Sequence, residues 1–379
     1  MGTFSFNVDS VLPKLTQVSN VIGNKSTLPV FECVYFTEKE GNLFLKASDG
    51  ETWIEMRCDG VTIESKIDFC VNAKNFVSTL RNLSGVDVRI DVDEQKNLLY
   101  GFYGKKGKFK LPIRNGSEFV NETSIDTSKV VSLSVGQQAL ANAIQSTDFA
   151  VANDELRPIM NGIHFDFSQN GMESAASDGH RLVHYVDEST RIDNEPKGFT
   201  LPTKPSRIIL PLLSLPDSSS SVNIEFTDEH LKIKSDDWFV QTRLCVGRYP
   251  NYKGVIPRNN ENHSVVDKSQ LLNVLNRVIP FGSVNTKMVK MLFGNNEILI
   301  SAEDIDWSTS SEESVDCQYD GANGILIGFK GDLLTQVVRN IQCDEIVIDV
   351  RDSRTAAVFR PLNDIESTKY VSILMPLML

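Results

Sequence analysis

The chain has 379 residues, a formal net charge of −12 at pH 7, 41% hydrophobic residues and 23% charged residues. These proportions are ordinary for a globular protein, and the length is enough for roughly two to three domains. The acidic balance argues against a protein that binds nucleic acid over its whole surface, because phosphates are bound by Lys and Arg. It leaves open a basic inner surface on an acidic body, since net charge does not fix where the charges lie.

Membrane, secretory and metal chemistry are not indicated. No apolar run approaches the about 20 residues of a membrane-spanning helix, and the N-terminus lacks a basic start followed by an apolar segment. We therefore expect a cytoplasmic protein. The six cysteines form no Cys-x-x-Cys pair, which favours buried, reduced thiols, and we expect no metal and no cofactor.

The first third of the chain predicts two helices among many strands. Val11, Leu15 and Val18 have helical spacing, and Asp9 or Ser10 can cap that helix. A second helix is predicted at 73–83. The predicted strands lie at 3–8, 30–36, 43–48, 53–57, 61–67, 86–92, 98–103 and 107–113.

The second third repeats this order. It predicts helices at 136–150 and 204–213, and Pro211 should interrupt the end of the second. Outside the hairpin described next, the predicted strands lie at 131–135, 222–226, 230–235 and 238–246.

A β-hairpin is predicted in the middle of the chain. Apolar and polar residues alternate over 163–167, which is the period of a half-buried strand. Asn170-Gly171 is a strong turn signal, because both residues tolerate positive φ. We expect the start of the first strand, at 157–160, to lie beside the end of the second strand, at 177–182.

The last third has the same plan. Helices are predicted at 268–279, ended by Pro280, and at 331–341, with Leu333 among its inward residues. The predicted strands lie at 263–266, 287–293, 297–303, 312–319, 345–350, 356–361 and 369–376.

This recurrence predicts a repeated domain. The helices return at similar spacing in each third, and two polar stretches, 121–128 and 258–262, have the composition of linkers. We predict an α+β fold of three similar domains, each with two helices packed against antiparallel sheets. Their predicted bounds are 1–126, 127–258 and 259–379.

Known catalytic motifs are absent from the sequence. It has no Gly-x-Ser-x-Gly, no His-Glu-x-x-His and no Gly-x-x-x-x-Gly-Lys-Ser/Thr, so common hydrolase and phosphate-binding motifs are not indicated. One enzymatic alternative stays open. His180 could act as a general base in a β-rich hydrolase if Asp178 or Asp166 oriented it.

Several short motifs together carry a family resemblance. They are Arg157-Pro-Ile-Met-Asn-Gly162, Ser177-Asp-Gly-His-Arg-Leu182, Gly247-Arg-Tyr-Pro-Asn-Tyr252, Val255-Ile-Pro257, Thr27-Leu-Pro29, Ala47-Ser-Asp49 and the C-terminal Met375-Pro-Leu-Met-Leu379. In this combination the chain resembles the bacterial DNA polymerase III β subunit, the sliding-clamp family. The resemblance covers the whole chain.

The resemblance implies a fold and a role. Family members have three similar DNA-clamp domains, and two chains join head to tail into a closed ring with helices lining the hole. The ring encircles double-stranded DNA, slides without sequence specificity and catalyses nothing. It tethers the replicative DNA polymerase as a processivity factor, and an ATP-driven clamp loader opens it. We therefore expect a non-enzymatic homodimer in DNA replication.

Basic residues in or beside the predicted helices are our candidates for facing DNA. They are Lys14, Lys25, Lys74, Arg81, Lys204, Arg207, Lys268, Arg277 and Arg339. The resemblance supports Lys25 most, since it falls where the family has a DNA-contacting basic residue.

The resemblance also implies a cleft between the second and third domains that binds short peptides with apolar anchors, carried by clamp-binding partners. Its candidate residues are Met160, Ser177, Gly179, His180, Arg181, Leu182, Pro250, Val255, Ile373, Leu374, Met375, Pro376, Leu377 and Met378. Their mixture of Met, Leu and Pro suits an adaptable groove. Met378 and Gly254 stand where the family often has basic residues, so peptide preference can differ.

Candidates for the ring interface, by position in the family, are Phe109, Leu111, Ile279 and Phe281.

A third hypothesis is a scaffold protein that binds peptides through the cleft but never encloses DNA. Ring closure distinguishes that scaffold from a clamp.

Overall fold

The computed structural model describes residues 2–23, 28–192, 197–215, 220–365 and 367–379. They form two compact units. Unit 1 comprises Met1–Gln138 and Lys204–Leu244, and unit 2 comprises Ala139–Thr203 and Cys245–Leu379. The central third therefore contributes to both units. The three predicted domain bounds stay a prediction.

The helices and strands follow one another as a repeated series. The first series is β1 (Gly2–Asn7), α1 (Val8–Ser19), β2 (Cys33–Lys39), β3 (Asn42–Ser48), β4 (Thr52–Cys58), β5 (Val61–Ile63), β6 (Asp68–Asn72), α2 (Ala73–Arg81), β7 (Asp87–Asp93), β8 (Leu98–Tyr103) and β9 (Gly107–Asn115). The second is β10 (Val131–Gly136), α3 (Gln137–Thr147), β11 (Gly162–Ser168), β12 (Gly171–Ser177), β13 (Arg181–Asp187), β14 (Lys197–Pro202), α4 (Thr203–Leu213), β15 (Ser221–Phe226), β16 (His230–Lys234) and β17 (Trp238–Arg243). The third is β18 (Asn262–Asp267), α5 (Lys268–Val278), β19 (Met288–Gly294), β20 (Glu297–Asp304), β21 (Thr309–Asp316), β22 (Gln318–Asp320), β23 (Ile325–Lys330), α6 (Gly331–Asn340), β24 (Glu345–Val350), β25 (Ala357–Pro361) and β26 (Thr368–Leu374).

Hydrogen bonding joins these strands into antiparallel sheets. In the described part of unit 1, thirteen strands follow the order β10-β15-β16-β17-β4-β3-β2-β6-β9-β8-β7-β1-β5. In the described part of unit 2, nine strands follow the order β14-β11-β12-β13-β26-β25-β24-β18-β22, and four more the order β21-β20-β19-β23. The predicted α+β architecture of three clamp domains is confirmed.

The repeat is visible residue by residue in the strand register. In each domain, four residues on four neighbouring strands pair one with the next across the sheet. The first of the four lies three residues before the end of the strand that precedes the first helix. The three runs are Phe4–Ile90–Gly101–Phe109, Leu133–Ile224–Ile233–Val240 and Ser264–Ile348–Phe359–Ser372. Phe109, Val240 and Ser372 therefore occupy equivalent places in the three domains.

Local chemistry changes some predicted boundaries. Asn7, not Asp9 or Ser10, caps α1, because its side chain accepts a hydrogen bond from Asp9 N at 3.1 Å. Pro29 starts a 3-10 turn that delays β2 to Cys33. Leu333 was predicted to face inward but is only half-buried.

The predicted central hairpin forms, with a different start. Pro158 begins a 3-10 turn through Met160, so β11 starts only at Gly162. Gly171 has φ +128°, and a Cβ there would lie 2.2 Å from the Asp187 carbonyl oxygen. Only glycine fits that turn position. No helix in the described residues is long and apolar enough to span a membrane.

Candidate functional site

A tight turn between β12 and β13 presents His180. Ser177 Oγ donates to the Arg181 carbonyl at 2.7 Å, and Asp178 Oδ1 accepts from the backbone nitrogens of His180 and Arg181, both at 2.9 Å. Gly179 takes φ +89° between them. This side-chain-to-backbone bonding fixes the turn and leaves the His180 side chain exposed.

The structure does not form the pair of His180 with Asp178 or Asp166 that the hydrolase alternative requires. Asp178 bonds to backbone nitrogens and, through Oδ2, to Arg181 Nε at 3.0 Å. Asp166 instead accepts from the Tyr252 hydroxyl at 3.0 Å and lies 3.3 Å from His164. Neither carboxylate contacts the His180 ring in the described part of the chain, so nothing there orients it as a base.

Arg181 supports the turn from inside. It is 7% exposed, and its guanidinium donates to Gln336 Oε1 at 2.8 Å and to the Phe149 carbonyl oxygen while lying over the Phe149 ring. Burial lowers the pKa of this group, against the opposing pull of the Asp178 carboxylate. The charge of Arg181 is therefore buried beneath the turn rather than presented at the surface.

Strand pairing between β13 and β26 places the C-terminal residues beside this turn. Leu182 pairs with Ile373, and beyond the strand Met375 N donates to the His180 carbonyl at 2.8 Å. Leu377 N then donates to the Gly328 carbonyl at 2.7 Å, which ties the tail to β23. The tail is thus held in an extended course by backbone bonds, with Met375 and Met378 exposed.

A cavity of about 390 Å³ opens between the turn, the tail and the start of α6. Its wall includes His180, Lys330, Leu333, Met375, Pro376 and Met378. Apolar walls with a few polar groups suit a peptide side chain better than a charged ligand. We name this the tail cavity.

The structure separates the predicted cleft residues into two sets. Those that are exposed or half-exposed, and so accessible, are Ser177, Gly179, His180, Pro250, Val255, Met375, Pro376, Leu377 and Met378. Those that are buried are Met160, Arg181, Leu182, Ile373 and Leu374. Leu182 and Ile373 belong to an apolar cluster with Tyr249 and Tyr252, so they support the cleft from beneath.

Sequence reasoning missed part of the tail cavity wall. Met288, Lys330 and Leu333 line it, yet they come from β19, β23 and α6. No signal in the sequence indicated them, because Leu333 has the helical spacing of an inward residue and only the structure shows that it is half-buried.

The linker between the second and third domains is fastened by a polar network. Glu173 lies 2.8 Å from His184 Nε2 and accepts from Lys253 Nζ at 2.8 Å, while the ring of Tyr249 stacks on His164 at 4.6 Å. The hydrogen bond from His184 and the charge of Lys253 lower the pKa of Glu173 to about 2 although burial opposes this. The network ties Lys253 to β12, and Val255 follows in the same 3-10 turn.

The helix cations differ in their environments. Lys14 pairs with Asp59 at 2.9 Å, Lys204 pairs with Asp49, Arg277 pairs with Glu313 at 2.8 Å, and Lys268 donates to the Ile341 carbonyl at 2.7 Å. Arg207 is exposed. Lys74, Arg81 and Arg339 are exposed and have no ion-pair partner within the described ranges. Lys25 lies outside the described residues.

The interface candidates lie at two strand edges. Phe109 and Leu111 are half-buried on β9, and between Gly107 and Pro112 this strand pairs only with β8 in the described chain. Ile279 and Phe281 form a 3-10 turn after α5, whose Phe281 carbonyl accepts from Thr309 at the start of β21. β21 pairs only with β20 among the described strands. Each candidate pair therefore adjoins an open edge.

Comparisons with known proteins match the whole chain. The family models of the DNA polymerase III beta subunit match with the N-terminal domain at residues 3–121, the central domain at 134–251 and the C-terminal domain at 253–377. The beta sliding clamp of Haemophilus influenzae is 24% identical over 99% of this chain and 100% of its own length. That of Escherichia coli is 22% identical, with the same two shares.

Solved structures show the same fold. A sliding clamp from Pseudomonas aeruginosa bound to griselimycin superposes with a TM-score of 0.90 at 23% identity, and both chains are fully covered. A DNA polymerase III beta subunit from Thermotoga maritima gives a TM-score of 0.88 at 22% identity, again with both chains fully covered. The three family models follow one another in order and together match most of the chain, and the chain belongs to the DNA polymerase III beta-subunit family of sliding clamps, which are non-catalytic processivity factors of DNA replication.

Proposed function

We propose that two copies of this chain close head to tail into a ring that encircles duplex DNA and slides on it. The ring tethers the replicative polymerase and other partners through the cleft beside β13 and β26. The observation that supports this most is the pairing rule at the seams between domains.

Each internal seam joins strands in equivalent positions. The third strand after the first helix of one domain pairs with the third strand after the second helix of the next domain. This holds for β4 with β17 in unit 1 and for β13 with β26 in unit 2. Among the described strands, the rule leaves β21 of the third domain and β9 of the first domain without a partner from another domain, and these strands carry the two open edges described above.

The same rule predicts the register of the missing seam. Ala47, Ala176 and Ala302 each begin an Ala-x-Asp sequence near the end of β3, β12 and β20, which are the second strands after the first helix of their domains. Their cross-strand partners are Ile54, Val183 and Ser311. Across the internal seams Ile54 pairs with Val240, and Val183 pairs with Ser372. Since Phe109 is equivalent to Val240 and Ser372, it should pair with Ser311 of a second copy. Leu111 then lies opposite Thr309, beside Phe281.

Charge along the two edges agrees with this register. Pairing Phe109 with Ser311 places Lys108 opposite Glu312, and both side chains are exposed in one chain. Opposite charges directly across an antiparallel pair contribute about 0.2–1 kcal/mol each. The turn before β9 adds Lys105 and Lys106, and β21 adds Asp316. The two edges therefore carry opposite charges and attract each other.

DNA binding by such a ring depends on enclosure more than on affinity. The net charge of −12 discourages wrapping of DNA on the outside. Lys74, Arg81 and Arg339 are exposed helix cations open to phosphate, and the exposed pairs of Lys14, Lys204 and Arg277 can exchange their carboxylates for phosphate at little cost. Contacts of this kind are weak and salt-sensitive, which permits sliding.

Partners would enter through the tail cavity with apolar side chains. Met375, Met378 and Leu333 provide flexible apolar contact, and the exposed Lys330 adds a cation to the lining. We assign the replicative polymerase and an ATP-driven clamp loader as partners, and a cytoplasmic location. A loader must supply the ATP, since this chain has no phosphate-binding glycine motif.

Light scattering over a dilution series tests the ring directly. A mass near twice the 42.3 kDa of the chain, falling toward 42.3 kDa on dilution, supports it. A monomer throughout the micromolar range would leave a peptide-binding scaffold as the better description.

A further inference from the structure

Four large apolar side chains are exposed together at one end of the third domain. Trp307 is 77% exposed, Ile305 84%, Val284 75% and Phe281 43%. Thr309 Oγ1 donates to the Phe281 carbonyl at 3.3 Å, and Ser283 N donates to the Glu303 carbonyl at 3.3 Å. These bonds hold the β20–β21 loop against the turn after α5. We name these four residues the tip patch.

The loop that carries Trp307 has a defined shape. Asp304 is 6% exposed, and its Oδ1 accepts from the backbone nitrogens of Asp306 at 3.0 Å and Trp307 at 3.2 Å. Ser308 follows with φ +51°, a left-handed conformation that reverses the chain into β21. The exposure of Trp307 is therefore built into the loop, and an apolar surface of this kind marks an interaction site.

The strand register proposed above predicts what meets this patch. With Leu111 opposite Thr309, the next pair outward is Pro112 opposite Ser308, so Trp307 approaches Ile113 of the second copy. There Ile113 already pairs with Val71 of β6. Strand pairing between copies must stop at that point, and the loop must pass over the junction of β6 and β9.

A groove of about 470 Å³ lies at that junction in unit 1. Its wall includes Pro29, Cys33, Cys70, Pro112, Ile113 and Arg114. Glu32, Asn72, Asn75, Asn97 and Glu118 also line the groove, so its wall is partly polar. The rings of Pro29 and Pro112 offer apolar contact, and the Arg114 guanidinium, which pairs with Glu118 at 3.1 Å, can lie over an indole ring.

We propose that the Trp307 loop of one copy occupies this groove on a second copy and anchors the ring interface. The inference rests on the proposed ring and adds to it a named anchor outside the strand edges. Trp is a frequent centre of binding energy in interfaces, because it buries a large rigid surface at low entropic cost. Removal of the indole should therefore weaken ring closure while each chain stays folded.

Tryptophan fluorescence tests the proposal with the full chain. The sequence has three tryptophans, and the other two, Trp53 and Trp238, are 5% and 3% exposed, so acrylamide quenching reports mainly Trp307. We expect quenching to fall by half or more as light scattering shows monomer turning into dimer. The Trp307→Phe variant provides the background signal of the two buried residues.

The dimer dissociation constant provides a second test. We expect Trp307→Ala to raise the dimer dissociation constant about tenfold or more, while Leu156→Ala, which removes a 93% exposed side chain outside both strand edges, leaves it unchanged. A dimer in which Trp307 remains fully quenchable, or a Trp307→Ala chain that dimerises normally, overturns the anchor and leaves the ring intact. A wild-type chain that is monomeric throughout overturns the ring and the anchor with it.

Discussion

His184 Nε2 lies 2.8 Å from Glu173 Oε2, beneath the linker that carries Lys253. These residues belong to neighbouring strands β12 and β13, and their contact helps to fasten the linker of the second and third domains to the sheet. Glu173 joins the sheet to the linker through Lys253, so the charge of its carboxylate affects the stability of this contact.

The first prediction concerns acid stability. The folded-state pKa of Glu173 is about 2, below its ordinary value of 4.5. A depressed carboxyl pKa stabilises the fold above the unfolded value and loses that contribution as pH falls through 4.5 toward 2. We expect Glu173→Gln to lower the free energy of unfolding at pH 7 by about 2 kcal/mol. Urea titrations at several pH values measure it.

The difference in unfolding free energy between wild type and Glu173→Gln should still be present at pH 5 and should shrink as pH falls below 4.5, the ordinary pKa of this carboxyl. Glu155→Gln, which changes an exposed carboxylate in the loop before β11, provides the matched control and should have little effect. If the difference in unfolding free energy between wild type and Glu173→Gln is the same at pH 3 as at pH 7, the charge of this carboxylate does not stabilise the fold.

The second prediction concerns the charged strand edges. Lys108→Glu or Glu312→Lys should each weaken dimerisation several-fold at low salt, because each places like charges opposite one another. The double variant should recover most of the wild-type affinity. Sedimentation at low and high salt measures this, and the differences should diminish at 0.5 M salt, where the Debye length is only a few ångströms. A double variant weaker than both single ones would refute the proposed register.

The third prediction concerns peptide binding. Leu333→Ala should weaken binding of a short peptide with Leu and Phe anchors about tenfold, since it removes apolar wall from the tail cavity. Fluorescence anisotropy with a labelled peptide measures the affinity. Ile305→Ala, an exposed aliphatic truncation away from the tail cavity, is the control. Equal affinities for the two variants would place the peptide elsewhere.

The fourth prediction concerns DNA. Replacing Lys74, Arg81 and Arg339 together by Ala should reduce the salt dependence of binding to linear duplex, because each lost phosphate contact lowers the slope of log K against log salt by about 0.9. A Lys330→Ala variant, on the cleft side, should keep the wild-type slope. Unchanged slopes in the triple variant would remove these residues from the DNA-facing set.

Much of the fold could be predicted from sequence because apolar periodicity reports burial directly. The positions of helices α1 to α6 and of the central hairpin followed from this periodicity, and the short motifs along the chain identified the family. The cap of α1 was missed because Asn7, Asp9 and Ser10 can all cap by chemistry, and only the observed backbone shows that Asn7 does.

The site was harder to predict because its parts come from distant segments. The charge of Arg181 gave no sign that Gln336 and the Phe149 carbonyl would bury it. Lys330 and Leu333 reach the tail cavity only because β26 pairs with β13 and the tail then follows β23. Strand pairing at this sequence separation depends on tertiary packing, which local propensity does not encode.

The central claim is enclosure of DNA, and retention on circular DNA tests it most directly. The protein would be assembled with its loader on nicked circles, and its retention in gel filtration would be measured before and after one cut by a restriction enzyme. The account predicts that the protein remains on the circles through high salt and is released once the DNA is linear. Equal retention on circular and linear DNA, or none on either, would contradict it.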